Sequence, residues 1–133
     1  MKILRFSNLS LALALGLGAF STARATSIYA GKYTMVIINT SGIVANRAAE
    51  YGTATVGSTG AIKMSLTVTV GVDAGATQTF TGKVSASGVI GLPNVKGFKV
   101  KFVKSGTTVL GFQGTFTNTG ADTSGVILGL RQT

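Results

Sequence analysis

Residues Gly60–Gly71 read Gly-Ala-Ile-Lys-Met-Ser-Leu-Thr-Val-Thr-Val-Gly and switch between apolar and polar side chains at every step. Met64, Leu66, Val68 and Val70 fall on one side, and Lys63, Ser65, Thr67 and Thr69 on the other. A period of two is the geometry of an extended strand; a helix would scatter the same side chains around its axis. Valine and threonine are β-branched and suit a pleated, half-buried surface, so composition agrees with period. The stretch predicts a strand with one buried and one solvated face.

The same grammar recurs along the chain. Tyr29–Ile38 predicts the first strand, with Tyr33, Met35 and Ile37 on one face and Thr34, Val36 and Ile38 on the other. Apolar groups on both faces imply a strand covered on both sides or one at an interface. Asn39-Thr40-Ser41-Gly42 has turn chemistry, because asparagine and glycine tolerate positive φ. Ile43–Tyr51 is compatible with a loop or one helical turn, with a strand over Tyr51–Val56. Further strands are expected over Thr77–Ser85, Val89–Leu92, Phe98–Lys104, Thr108–Thr117 and Val126–Arg131, with a loop over Asn118–Gly125. Pro93 cannot donate to a strand ladder and limits the Val89–Leu92 strand to an edge or a short piece. Ser/Thr-Gly turns recur before Ala61, Val89 and Val126, but at irregular spacing, which excludes a stacked solenoid. The pattern predicts an all-β domain, a small antiparallel meander of about seven or eight strands forming a sandwich or an up-and-down barrel.

Tyr51-Gly52-Thr53-Ala54-Thr55-Val56, followed by Gly60, Lys63 and Leu66, resembles a Gly-punctuated β motif (YGTxTV…G…K…L) of large secreted bacterial proteins. In that family the run continues into Asp-Gly and another strand, where this chain has Val72-Asp73-Ala74-Gly75. The resemblance implies export and an all-β fold, and it implies no chemistry.

Residues 1–25 have the make-up of a signal peptide. Lys2 and Arg5 precede an apolar run from Leu9 to Phe20, and Ala23-Arg24-Ala25 supplies the small-x-small cleavage pattern. The run covers about 12 residues, short of the roughly 20 needed to span a bilayer. Removing 25 of the 133 residues leaves 108, one domain, expected in the periplasm, at the cell surface or outside the cell. With no cysteine, that domain has no disulfide and rests on packing and strand hydrogen bonds.

The residue inventory excludes most catalytic chemistry. There is no histidine, cysteine or tryptophan, so the commonest general base, the thiolate nucleophile and most transition-metal ligands are missing. The only acids are Glu50, Asp73 and Asp122, each expected in a loop and none beside another. A paired-carboxylate glycosidase site and a calcium loop are therefore not expected. A Ser65/Lys63 dyad would share the face that reads as solvated. No catalytic residue, metal site or cofactor is predicted.

The formal charge of +9 falls to +6 once Lys2, Arg5 and Arg24 are removed. Lys96, Lys99, Lys101 and Lys104 form the densest basic run and the candidate polyanion-binding residues, with an anionic envelope polymer or polysaccharide as partner. Nucleic acid is not favoured: Phe98, Val100 and Phe102 alternate away from Lys99 and Lys101, whereas a base-stacking platform needs aromatics and cations on one face. The other reading of the lysines is protection of an edge strand against aggregation.

The sequence thus describes a secreted or envelope-associated, non-catalytic β domain that acts by binding or by structural assembly. One alternative is a closed eight-stranded barrel holding an apolar ligand. Against it, Met64, Leu66, Phe112 and Phe116 are bulky enough to fill so small an interior. An outer-membrane barrel is disfavoured by the Thr, Ser and Lys of the polar faces. N-terminal sequencing of the exported protein should begin at Thr26; an intact Met1 on the exported protein would refute the leader.

Overall fold

The computed structural model describes residues 26–93, 95–118 and 122–133; the leader expected over residues 1–25 lies outside them. Among the described residues eight strands run in order: β1 (Gly31–Gly42), β2 (Ala49–Val56), β3 (Ala61–Val70), β4 (Thr77–Val84), β5 (Val89–Gly91), β6 (Lys99–Ser105), β7 (Thr108–Asn118) and β8 (Thr123–Arg131). Each pairs antiparallel with the next, and β8 returns to pair with β1. Of the two expected forms, sandwich and barrel, the chain adopts the closed up-and-down barrel. A 3-10 turn at Val44–Asn46 takes up part of the segment expected to be loop or one helical turn.

Alternation sorts side chains as the sequence implies. Ile62, Met64, Leu66 and Val68 of β3 are buried and the residues between them exposed. Val70 departs from the pattern, at 64% exposure. The register shows why: Glu50 pairs with Val68 but Ala49 pairs with Val70, so Thr69 is an extra residue in β3. A bulge of one residue reverses the facing of the residues beyond it.

Three further expectations are corrected by strand pairing. Asn39–Gly42, expected to turn, continues β1, with a register shift between Asn39 and Ser41. The Ser41 and Ser124 hydroxyls hydrogen-bond across β1 and β8 there, and Gly42 lies opposite Thr123. Ladder bonds to β8 outweigh the local turn preference. For the same reason β8 begins at Thr123, three residues before the sequence pattern suggests. Nor is β6 an edge: Val100 lies opposite Ile90 on one side and Gly114 on the other.

One end of the barrel is packed shut by aromatic rings. Residues Thr26–Ala30 lead into β1, and the backbone N–H of Ser27 donates to the Ser58 carbonyl at 2.8 Å, drawing the segment to the β2–β3 turn. Tyr29 lies 4.7 Å from Phe102, centroid to centroid, and Tyr33 is 5.3 Å from Phe102 and 5.7 Å from Phe112. Such tilted and edge-on pairs contribute about 0.5–1.5 kcal/mol each beyond the area they bury. The buried Tyr33 hydroxyl donates to the Tyr29 carbonyl at 2.6 Å. Burial raises the Tyr33 phenol above its ordinary pKa, against the opposing pull of Arg131. The Arg131 guanidinium sits 6.0 Å from the Tyr33 ring centre and donates to the Ala30 carbonyl at 2.8 Å, tying β8 to the plug.

The outer surface is uneven. Lys63, Lys83, Lys99, Lys101 and Lys104 are exposed on β3, β4 and β6. On the far side Ile38, Val126, Leu128 and Leu130 are exposed, with Ile38 opposite Val126 and Val36 opposite Leu128. The second apolar face of β1, expected to be covered or at an interface, has Val36 half-buried and Ile38 exposed within this chain. An apolar interior inside a wall bearing lysines is the reverse of an outer-membrane barrel. Among the described residues no helix is long and apolar enough to cross a membrane.

Gly129 is where the aromatic packing is least tolerant. A Cβ there would meet the Phe112 ring, whose Cε2 lies 2.6 Å from that position. Gly129→Val should cost about 2–3 kcal/mol in denaturant unfolding. A variant as stable as the parent would show that the ring is not seated as described.

Candidate functional site

The opposite end of the barrel is open. It carries the β1–β2, β3–β4, β5–β6 and β7–β8 connections, and a cavity of about 470 Å³ lies beneath them. Its walls come from inward rows of the strands: Ile37 on β1, Met64 and Leu66 on β3, Phe80 on β4, Phe116 on β7 and Ile127 on β8. Leu92, Val95, Lys96 and Phe98 of the β5–β6 connection complete one side.

The cavity exists because β5 is short. Only Lys83 and Val84 of β4 pair with it, so the Thr77–Gly82 stretch has no strand partner on that side. Pro93 comes almost immediately after β5, and its missing N–H explains why the ladder ends. Residues 95–98 are irregular, and Val95, Lys96 and Phe98 border the cavity there. Gly97 adopts φ +68 there, against Thr117, where a Cβ would stand 2.9 Å from the Thr117 Cβ.

The expectation that bulky side chains fill the interior is therefore corrected. Phe112 does pack, in the closed half. Met64, Leu66 and Phe116 instead line the space. Side-chain volume is not the deciding quantity; what matters is whether strands face each other across that level of the barrel. The signal available in the sequence was Pro93 placed so soon after a three-residue strand.

Glu50 is a cavity-lining residue that sequence reasoning misplaced. Expected in a loop, it is the second residue of β2, opposite Ile37 of β1 and Val68 of β3. It precedes Ala54 and Val56 in the inward row and lines the cavity. Tyr51, its neighbour, points outward and is exposed. Burial raises the Glu50 carboxyl above its ordinary pKa, with no cation acting against that rise. Gln78 on β4 and Lys96 add polar groups to the same cavity.

The other candidates are spread apart. Asp73 is exposed in the β3–β4 connection and Asp122 is exposed before β8, neither on the cavity wall. Among the described residues no three acidic, histidine or cysteine side chains gather as a metal site would require. Lys63 and Ser65 both lie on the solvated face of β3. Of the four lysines expected to act together, Lys99, Lys101 and Lys104 lie exposed along β6, while Lys96 stands at the cavity.

No protein-family model matches the chain, and no curated protein matches it. Solved structures do. The siderocalin Ex-FABP, described as functioning through dual ligand specificities, superposes with a TM-score of 0.51 at 13% identity, covering 80% of this chain and 75% of that one. Odorant Binding Protein OBP1 superposes with a TM-score of 0.48 at 16% identity, covering 83% of this chain and 75% of that one. At 13% identity the first likeness is one of fold alone, the closed eight-stranded barrel that the strand pairing shows.

Because the folded state favours the protonated carboxyl, ionising Glu50 opposes folding. That cost is absent below the ordinary carboxylate pKa, grows as pH rises toward the elevated value, and is complete above it. Glu50→Gln should therefore raise stability at neutral pH, by only a small amount because the half-buried group is screened by solvent. Thermal melts across pH should show that gain fading under acid conditions. A variant less stable than the parent at neutral pH would contradict this placement.

Proposed function

We propose that the chain is an exported carrier that holds a small, largely apolar molecule in the open half of its barrel and carries out no reaction on it. The observation that supports this reading is the cavity of about 470 Å³, walled mainly by Leu66, Phe80, Phe98, Phe116 and Ile127. Its volume falls in the range of roughly 300–1,000 Å³ typical of small-molecule sites, which combine apolar walls with a few polar groups. The siderocalin of like fold is described by its ligand specificities, which agrees with the reading.

Of binding and structural assembly, the cavity favours binding. Polyanion contact through Lys99, Lys101 and Lys104 draws no support from it, since those side chains lie on the outer wall. Export rests on the leader-like residues 1–25.

Titration with the environment-sensitive dye N-phenyl-1-naphthylamine tests the proposal. Saturable fluorescence enhancement at one dye per chain is expected. Leu66→Trp, which fills the cavity from β3, should weaken it about tenfold or more, whereas Lys101→Ser should leave it unchanged. Absence of saturable binding, or binding indifferent to Leu66→Trp, would refute the carrier reading.

A further inference from the structure

The chain has only three acidic residues against twelve lysines and arginines, and one of the three is built into the cavity wall. Glu50 is held there by strand pairing on both sides, opposite Ile37 and Val68, so its direction is set by the β2 register. A carboxylate among apolar side chains lacks the solvation it has in water, and Glu50, half-buried on the cavity wall, is raised in pKa by that burial. Gln78 faces the same space from β4, where it pairs with Leu66, the residue that on its other side pairs with Gly52. The two polar groups thus flank β3, with the apolar surface of Leu66 between their strands.

We infer that the cavity selects hydrophobic amines, packing the hydrocarbon body on Leu66, Phe80 and Phe116 and setting the protonated nitrogen against the Glu50 carboxylate and the Gln78 side-chain carbonyl. The inference rests on the carrier reading and specifies the ligand class for that same site. An ammonium has donors only and no acceptor, so a half-buried carboxyl and an exposed amide carbonyl bordering one apolar cavity match it. Charge-assisted hydrogen bonds are about twice as strong as neutral ones, which makes the nitrogen the source of selectivity and the hydrocarbon the source of affinity. Lys96 also borders the cavity but is exposed, where its ammonium keeps its own water. An anionic headgroup would need Lys96 and would meet repulsion from Glu50, so the two residues give opposite forecasts.

Displacement of bound N-phenyl-1-naphthylamine by dodecylamine, dodecanol and dodecanoate, each below its aggregation limit at neutral pH, separates these cases. Dodecylamine should displace the dye at about tenfold lower concentration than dodecanol, as expected for one charge-assisted contact. In Glu50→Gln, the variant expected to fold at least as well as the parent, the two should agree within about twofold. Lys96→Gln should keep the amine preference. Equal potency of amine and alcohol in the parent, or a preference that survives Glu50→Gln, overturns the inference. So does a preference for dodecanoate that disappears in Lys96→Gln. In each of those outcomes the dye is still displaced and the carrier reading stands. Failure of the dye to bind, or of all three compounds to displace it, refutes the carrier reading itself.

Discussion

Pairing of β1 with β8 is the contact on which the rest of this structure depends. It joins Tyr33–Gly42 to Thr123–Arg131, segments at opposite ends of the barrel's sequence. An open eight-stranded meander would leave one apolar face without cover and two strand edges exposed. Closure removes both problems at once. It turns the inward rows of all strands toward one axis and gives every terminal strand a partner. The Arg131 side chain reinforces the seam by reaching the Ala30 carbonyl and the Tyr33 ring.

Closure does not dictate what fills the interior, and the two halves resolve this differently. At one end Tyr29, Tyr33, Phe102 and Phe112 stack into a dry aromatic plug, with Gly129 leaving room for the Phe112 ring. At the other, β5 stops after three residues and the wall between β4 and β6 is irregular. Apolar side chains at that level, Met64, Leu66 and Ile127 among them, belong to the same core cluster as the aromatic end and also border the cavity.

Charge obeys the same division between wall and interior. The lysines of β3, β4 and β6, which supply much of the positive charge, stand on the outside. The inward acid, Glu50, is of the opposite sign, and burial raises its pKa. Net charge therefore describes the outer wall and not the cavity.

Local sequence determined the strands and their facing. The alternation of Ile62, Met64, Leu66 and Val68, and of Phe98, Val100 and Phe102, is inherited directly from the two-residue period of an extended chain. The absence of histidine and cysteine likewise narrowed the chemistry before any fold was known. What tertiary structure alone decided was everything that depends on register between strands distant in sequence. The ladder to β8 kept Asn39–Gly42 extended despite its turn-forming residues, and an extra residue at Thr69 turned Val70 outward. Pairing opposite Ile37 and Val68 carried Glu50 from an expected loop to the cavity wall. Periodicity is written into each segment, but which rows share an enclosed space is set by how the ends of the sheet meet.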